Sequence, residues 1–192
     1  MMEARTKVGI LISGRGSNMA ALVEAAKLPD CPYEVVLVIS NVTDAPGLAF
    51  AEANGIKTWA QSHIGMKRAE FDALVDTELR DANVEYVALA GYMRLLSPGL
   101  VAKWAGRMIN IHPSLLPAYK GLDTHQRVLD AGEAKHGCTV HIVTELLDDG
   151  EIIAQAEVPV LPGDDEATLA ARVLVEEHKL YPAALAKLIR GS

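Results

Sequence analysis

Asn110 and His112 stand one residue apart in the stretch Arg107-Met-Ile-Asn-Ile-His-Pro-Ser-Leu-Leu-Pro-Ala-Tyr-Lys-Gly121. Met108, Ile109 and Ile111 give its first half strand character. Alternate residues of a strand share a face, so the amide and the imidazole leave the same side. Pro113 stops the ladder, and Pro117 and Gly121 keep the second half irregular. The flanking Leu115, Leu116 and Pro117 are apolar, which separates the pair from ordinary solvated residues. A carboxylate, Asp148, stands further on in the acidic turn Leu147-Asp-Asp-Gly150. Beside His112 it would stabilise an imidazolium able to donate a proton near neutral pH. Asn110 could offer its amide N–H to the same developing oxyanion. Amide, imidazole and carboxylate suit acyl transfer through a tetrahedral intermediate. No Ser or Cys stands in a Gly-x-Ser-x-Gly elbow or a Ser-His-Asp order, so the acceptor itself is expected to attack.

A second chemical signal is Ser13-Gly-Arg-Gly-Ser-Asn18. It follows the apolar run Val8 to Ile12 and precedes a helical stretch, Met19 to Lys27, with Ser17 or Asn18 as the expected N-cap. Glycines let backbone approach closely, and a helix N-terminus offers free N–H groups and partial positive charge to an anion. The motif lacks the third glycine of a dinucleotide fingerprint and the Gly-Lys-Ser/Thr of a P-loop; a plain tight turn is its other reading. Gly91 and Pro98 bracket an apolar loop, Tyr92-Met-Arg-Leu-Leu-Ser97, at a strand's carboxyl end, where open α/β sheets place ligands. Arg68, a cation in the first turn of a helix, calls for a ligand or an acidic partner.

The elements that must position these groups alternate early in the chain. Val8–Ile12, Glu34–Ser40 and Val84–Ala90 read as strands buried on both faces, as in a parallel sheet; Lys57–Trp59 reads as a shorter one. Helices are expected at 47–54, with Gly55 as its cap, and at 67–81, where Phe71, Leu74, Val75 and Leu79 recur at helical spacing. Later come a helix at 123–131, strands at 136–144 and 152–160 as an antiparallel hairpin, and a long helix at 166–188, bent before Pro182. The expected fold is α/β, a doubly wound, mostly parallel sheet with late antiparallel strands and a long C-terminal helix. Residues 1–192 read as a single domain.

Half of the 192 residues are hydrophobic and the net charge is −7. That balance argues against nucleic acid as the main partner, since phosphate contacts need a basic face. Two distant cysteines, Cys31 and Cys138, fit reduced thiols better than a disulfide framework or zinc site. Neither a signal peptide nor a run near the ~20 apolar residues of a membrane span is apparent. A cytoplasmic protein is expected, with no membrane partner.

Four stretches carry a resemblance: Ile12-Ser-Gly-Arg-Gly-Ser-Asn18, Leu89-Ala-Gly-Tyr-Met-Arg-Leu-Leu-Ser-Pro98, Asn110-Ile-His-Pro-Ser-Leu-Leu-Pro117 and Val143-Thr-Glu-Leu-Leu-Asp-Asp-Gly150. Over nearly its whole length the chain resembles the folate-dependent formyltransferases, and within them the branch that formylates glycinamide ribonucleotide in purine synthesis. The resemblance implies a Rossmann-like formyltransferase fold and Asn110, His112 and Asp148 as the catalytic trio. Gly16, Ser17, Asn18 and Glu177 would bind the ribonucleotide. Arg68, Met93, Arg94, Leu95 and Leu96, with Asn110, Thr144, Glu145, Leu146, Leu147 and Asp148, would hold 10-formyltetrahydrofolate. No metal is implied, and the state is monomer or homodimer.

Arg15 replaces an expected Asn and adds charge beside the phosphate loop. Asp123 stands where a histidine is common, though His125 still matches. The chain ending at Ser192 reads as one without the C-terminal tail of some relatives. A formyltetrahydrofolate hydrolase, a methionyl-tRNA formyltransferase and a non-catalytic nucleotide- or folate-binding module are the alternatives. The tRNA enzyme typically has Gly-Ala-Ala-Pro where this chain has Gly121-Leu-Asp-Thr124.

Overall fold

The computed structural model describes residues 3–191. Seven strands form one sheet: β1 (Thr6–Ile12), β2 (Tyr33–Ser40), β3 (Lys57–Ala60), β4 (Tyr86–Leu89), β5 (Met108–His112), β6 (Lys135–Ile142) and β7 (Ile152–Pro159). Their order is β3-β2-β1-β4-β5-β6-β7. Neighbours from β3 through β5 pair parallel; β6 runs antiparallel to β5, and β7 to β6. This is the doubly wound, mostly parallel sheet with late antiparallel strands read from the sequence. The strand order reverses between β1 and β4, which opens a crevice at their carboxyl ends.

The helices are α1 (Ser17–Ala26), α2 (Pro46–Ala53), α3 (Arg68–Asp81), α4 (Pro98–Lys103), α5 (Thr124–Asp130) and α6 (Glu166–Arg190). Strand alternation sorts them into two layers. Val8, Ile10 and Ile12, with Ala88, Ile109 and Ile111, join Leu22 of α1, Leu48 of α2, Val128 of α5 and Val173 of α6 in one core. Leu11, Leu37, Ile39, Val87 and Met108 face the other way, onto Phe71, Val75 and Leu79 of α3 and Leu100 beside Trp104. Asn110 and His112 share the parity of Met108, so their side chains leave the sheet on the α3–α4 side.

Two local expectations differ from the structure. Neither Ser17 nor Asn18 caps α1. Gly16 does, at φ 67, without a side-chain bond to the helix; a left-handed residue is needed there, and glycine adopts it freely. The loop after Gly91 ends in a helix, α4, where Ser97 accepts the Leu100 N–H and Pro98 takes the first turn. Gly99 and the short length hid it. The long helix expected over 166–188 is α6, which runs through Pro182 to Arg190. Its buried Tyr181 donates its hydroxyl to Leu89 O at 2.7 Å and Ile109 O at 3.2 Å. That fastens the helix to the end of β4 and to β5, the strand that carries Asn110 and His112. Among the described residues no helix is long and apolar enough to cross a membrane.

Candidate active site

The end of β5 delivers His112 into a pocket of protein acceptors. The ring is 6% exposed. Nε2 lies 2.9 Å from Tyr119 O; a carbonyl only accepts, so Nε2 carries hydrogen. Nδ1 lies 3.5 Å from Asp148 Oδ2, so a second proton there would point at the carboxylate. Asp148 is itself 8% exposed and adopts φ 51. Its Oδ2 accepts the Gly121 N–H at 2.9 Å, and Lys120 pairs with the neighbouring Asp149. These contacts tie the 144–150 turn to the loop after β5. The expected pairing of His112 with Asp148 is therefore present.

Tyr119 is held in place by α5 and its flanks. It sits at φ 54, its hydroxyl donates to Glu133 at 2.7 Å, and the Arg127 guanidinium lies 5.3 Å from its ring centroid. Deeper in, Thr139 donates to Ser114 O and accepts the Leu116 N–H. Gln155 on β7 donates to Leu116 O and to the Thr139 hydroxyl. The antiparallel hairpin, late in the chain, thus sets the shape of the loop beyond His112.

The sequence reading missed His141. In the β5–β6 ladder it stands opposite Asn110, with Asn110 Nδ2 3.5 Å from its Nε2 and Asp148 Oδ1 3.8 Å away. Its Nδ1 donates to Ile142 O at 3.1 Å, so Nε2 of the neutral ring accepts. Burial pushes its pKa below the usual histidine range, although Ile142 O and Asp148 oppose the shift. With Nε2 as acceptor, His141 faces one N–H of the Asn110 amide at 3.5 Å. The β5–β6 register was the missing signal.

The glycine-rich turn lies at the carboxyl end of β1. Gly14 O accepts the N–H of Gly47 at 3.1 Å. A Cβ on Gly47 would sit 2.6 Å from Ile12 Cδ1 and 2.9 Å from Arg15 O, so only glycine lets α2 seat against the turn. Ser17 is exposed and Asn18 buried. Asn18 Nδ2 donates to Glu177 Oε1 at 3.2 Å, joining α1 to α6, while Asn18 Oδ1 is buried without a partner. Glu177 is 8% exposed; burial raises its carboxyl pKa, and the Asn18 bond works against that. Uncapped N–H groups beside a polar pair and no acid in the first turn make an anion seat.

The 91–97 loop offers Met93 at 70% and Leu95 at 57% exposure. Leu96 packs on the α3-side core, and Arg94 lies 4.9 Å from the Phe71 ring centroid. Ser97 N–H donates to Asp72 Oδ2 at 2.6 Å, which pins the end of the loop to α3. Thr144, Glu145, Leu146 and Leu147 lie on the turn after β6, with both leucines exposed. Arg68 is exposed at the start of α3. Its guanidinium forms no ion pair among the described residues. Two strips of exposed apolar side chains, with a polar cluster at the end of β5 and an anion seat at the end of β1, can receive an elongated aromatic donor and a phosphorylated acceptor.

The chain is similar to known proteins over nearly its whole length. The family model described as formyl transferase matches residues 6–185. Phosphoribosylglycinamide formyltransferase of Escherichia coli K12 is 44% identical over 183 residues, which cover 95% of this chain and 86% of that protein. The human trifunctional purine biosynthetic protein adenosine-3 is 45% identical over 191 residues, 99% of this chain but only 19% of the longer protein. The crystal structure of phosphoribosylglycinamide formyltransferase from Brucella melitensis superposes with a TM-score of 0.93 at 51% identity, covering 98% of each chain.

Proposed function

The chain belongs to the formyl transferase family, and on that premise we propose that it moves the formyl group of 10-formyltetrahydrofolate to the amine of glycinamide ribonucleotide. The observation that carries this reading is the cluster of Asn110, His112, His141 and Asp148 at the end of β5, in a sheet that carries the anion seat at the end of β1 and the apolar loop after β4. The amine nitrogen bonds to the formyl carbon, the bond from that carbon to N10 breaks, and the proton lost by the amine ends on N10. Asn110 directs its other N–H at the oxyanion of the tetrahedral intermediate. His112 turns its Nε2–H from Tyr119 O to the intermediate and protonates it, while Asp148 holds the opposite charge beside Nδ1. Gly16, Ser17 and Asn18, with Glu177, seat the ribonucleotide. Met93 to Leu96 and Thr144 to Asp148, with Arg68 at the rim, hold the folate. The whole chain acts as one domain in the cytoplasm.

The test supplies donor labelled in the formyl carbon. The native chain is expected to pass the label to glycinamide ribonucleotide. The His112→Ala chain should still bind the ribonucleotide while transferring label about 10³-fold more slowly. Label released as formate would identify a hydrolase. Binding of both ligands without any loss of label by the native chain would identify a binding module.

A further inference from the structure

We propose that Ser13 is a positioning residue shared by both substrate subsites, and that through it occupancy of one subsite strengthens binding at the other. The proposal rests on the two subsites assigned above. Ser13 ends β1 and opens the turn that seats the anion. Its hydroxyl donates to Asn41 Oδ1 at 2.5 Å and accepts the backbone N–H of Met93 at 2.8 Å, 80 residues away. Met93 is the first residue of the apolar loop given to the folate. One side chain therefore bridges the crevice where the strand order reverses, and no other hydroxyl among the described residues does so.

The bridge is braced from behind. Asn41 is 4% exposed, and its Nδ2 faces His63 Nδ1 at 3.2 Å. His63 meets the edge of Phe71, with ring centroids 6.1 Å apart, and Phe71 carries the Arg94 guanidinium at 4.9 Å. The circuit runs from Ser13 through Asn41, His63 and Phe71 to Arg94, one residue beyond Met93. A hydroxyl has one proton to give, and here it goes to Asn41, so its lone pair is aimed at Met93. A ligand that orders the 14–16 turn fixes Ser13 and so orders the Met93 loop in advance. The folate then binds a loop already ordered, and linkage makes the effect reciprocal.

The experiment measures the dissociation constant of glycinamide ribonucleotide by calorimetry, with and without saturating tetrahydrofolate, a pair that cannot react. It is repeated on Ser13→Ala, on Ser13→Thr, which keeps the hydroxyl, and on Ser13→Cys should the alanine chain not fold. The native chain is expected to bind the ribonucleotide about fivefold or more tightly when the folate is present. Ser13→Ala should bring that ratio to within about twofold of unity, and Ser13→Thr should retain it. Without any ligand, exchange of the Met93 amide should speed by about tenfold in Ser13→Ala while core amides keep their rates. A native ratio of unity, an equal ratio in Ser13→Ala, or an unchanged Met93 amide overturns the proposal. Faster Met93 exchange in a protein whose native form binds neither ligand would keep the bridge, refute the functional reading, and remove the coupling with it.

Discussion

Both ring nitrogens of His112 face protein oxygens, Tyr119 O at 2.9 Å and Asp148 Oδ2 at 3.5 Å. These two contacts hold the ring between the loop after β5 and the 144–150 turn, and on the proposed mechanism Asp148 is its charge partner. Asp148→Asn keeps the volume and a carbonyl for the Gly121 N–H but removes the charge. It should lower kcat by about 10²-fold with the ribonucleotide KM little changed; an unaltered kcat removes Asp148 from the mechanism. The Asn-x-His spacing made the two β5 groups readable from the sequence, because alternation within one strand is local. His141 was not readable. It lies in the polar half of an ordinary alternating strand, and only the antiparallel register puts it opposite Asn110. The pairing of Asp148 with His112 was expected from its residue type and the resemblance, since nothing local marks a residue in an acidic turn as buried.

At the level of elements, the long helix α6 acts as the brace of the site. Tyr181 bonds the carbonyls of Leu89, at the end of β4, and Ile109, early in β5, and Glu177, one turn earlier, meets Asn18. Tyr181→Phe keeps the packed ring and removes the bonds, so it should cost about 1–2 kcal/mol of stability, read as a shift of the urea midpoint. An unchanged midpoint would mean that the strand ladder alone satisfies both carbonyls. The helix was legible from its periodicity, including its run past Pro182 to residue 188. Proline removes one backbone bond and favours a break, and here packing of Tyr181, Ala184 and Leu185 in the core on either side of it carries the helix onward. The helix α4 was not read, although Ser97 and Pro98 spell a helix start, because it has only six residues.

Across the whole molecule, several histidines are buried as neutral rings. His136 is pushed down to about 4, chiefly by burial, with His125 and His112 adding to the shift; its Nε2 meets His125 Nδ1 at 2.9 Å. The unfolded chain takes up a proton on this residue near pH 6.5, and the folded chain does so only near pH 4. The unfolded state therefore binds more protons in that window, and stability falls as pH drops from about 6.5 to 4. Urea midpoints between pH 7.5 and 4 should follow that slope, and His136→Gln should flatten it. An equal slope in the variant would place the acid sensitivity elsewhere. The order of strands and helices was legible because hydrophobic period and turn residues are local signals. The meeting of residues 13, 41 and 93 was not, because it depends on where β1, β2 and β4 end in space. The most direct measurement of the central claim is release of tetrahydrofolate from 10-formyltetrahydrofolate by the native chain, with and without glycinamide ribonucleotide. Release that requires the ribonucleotide is the predicted result; equal release in its absence would contradict a transferase.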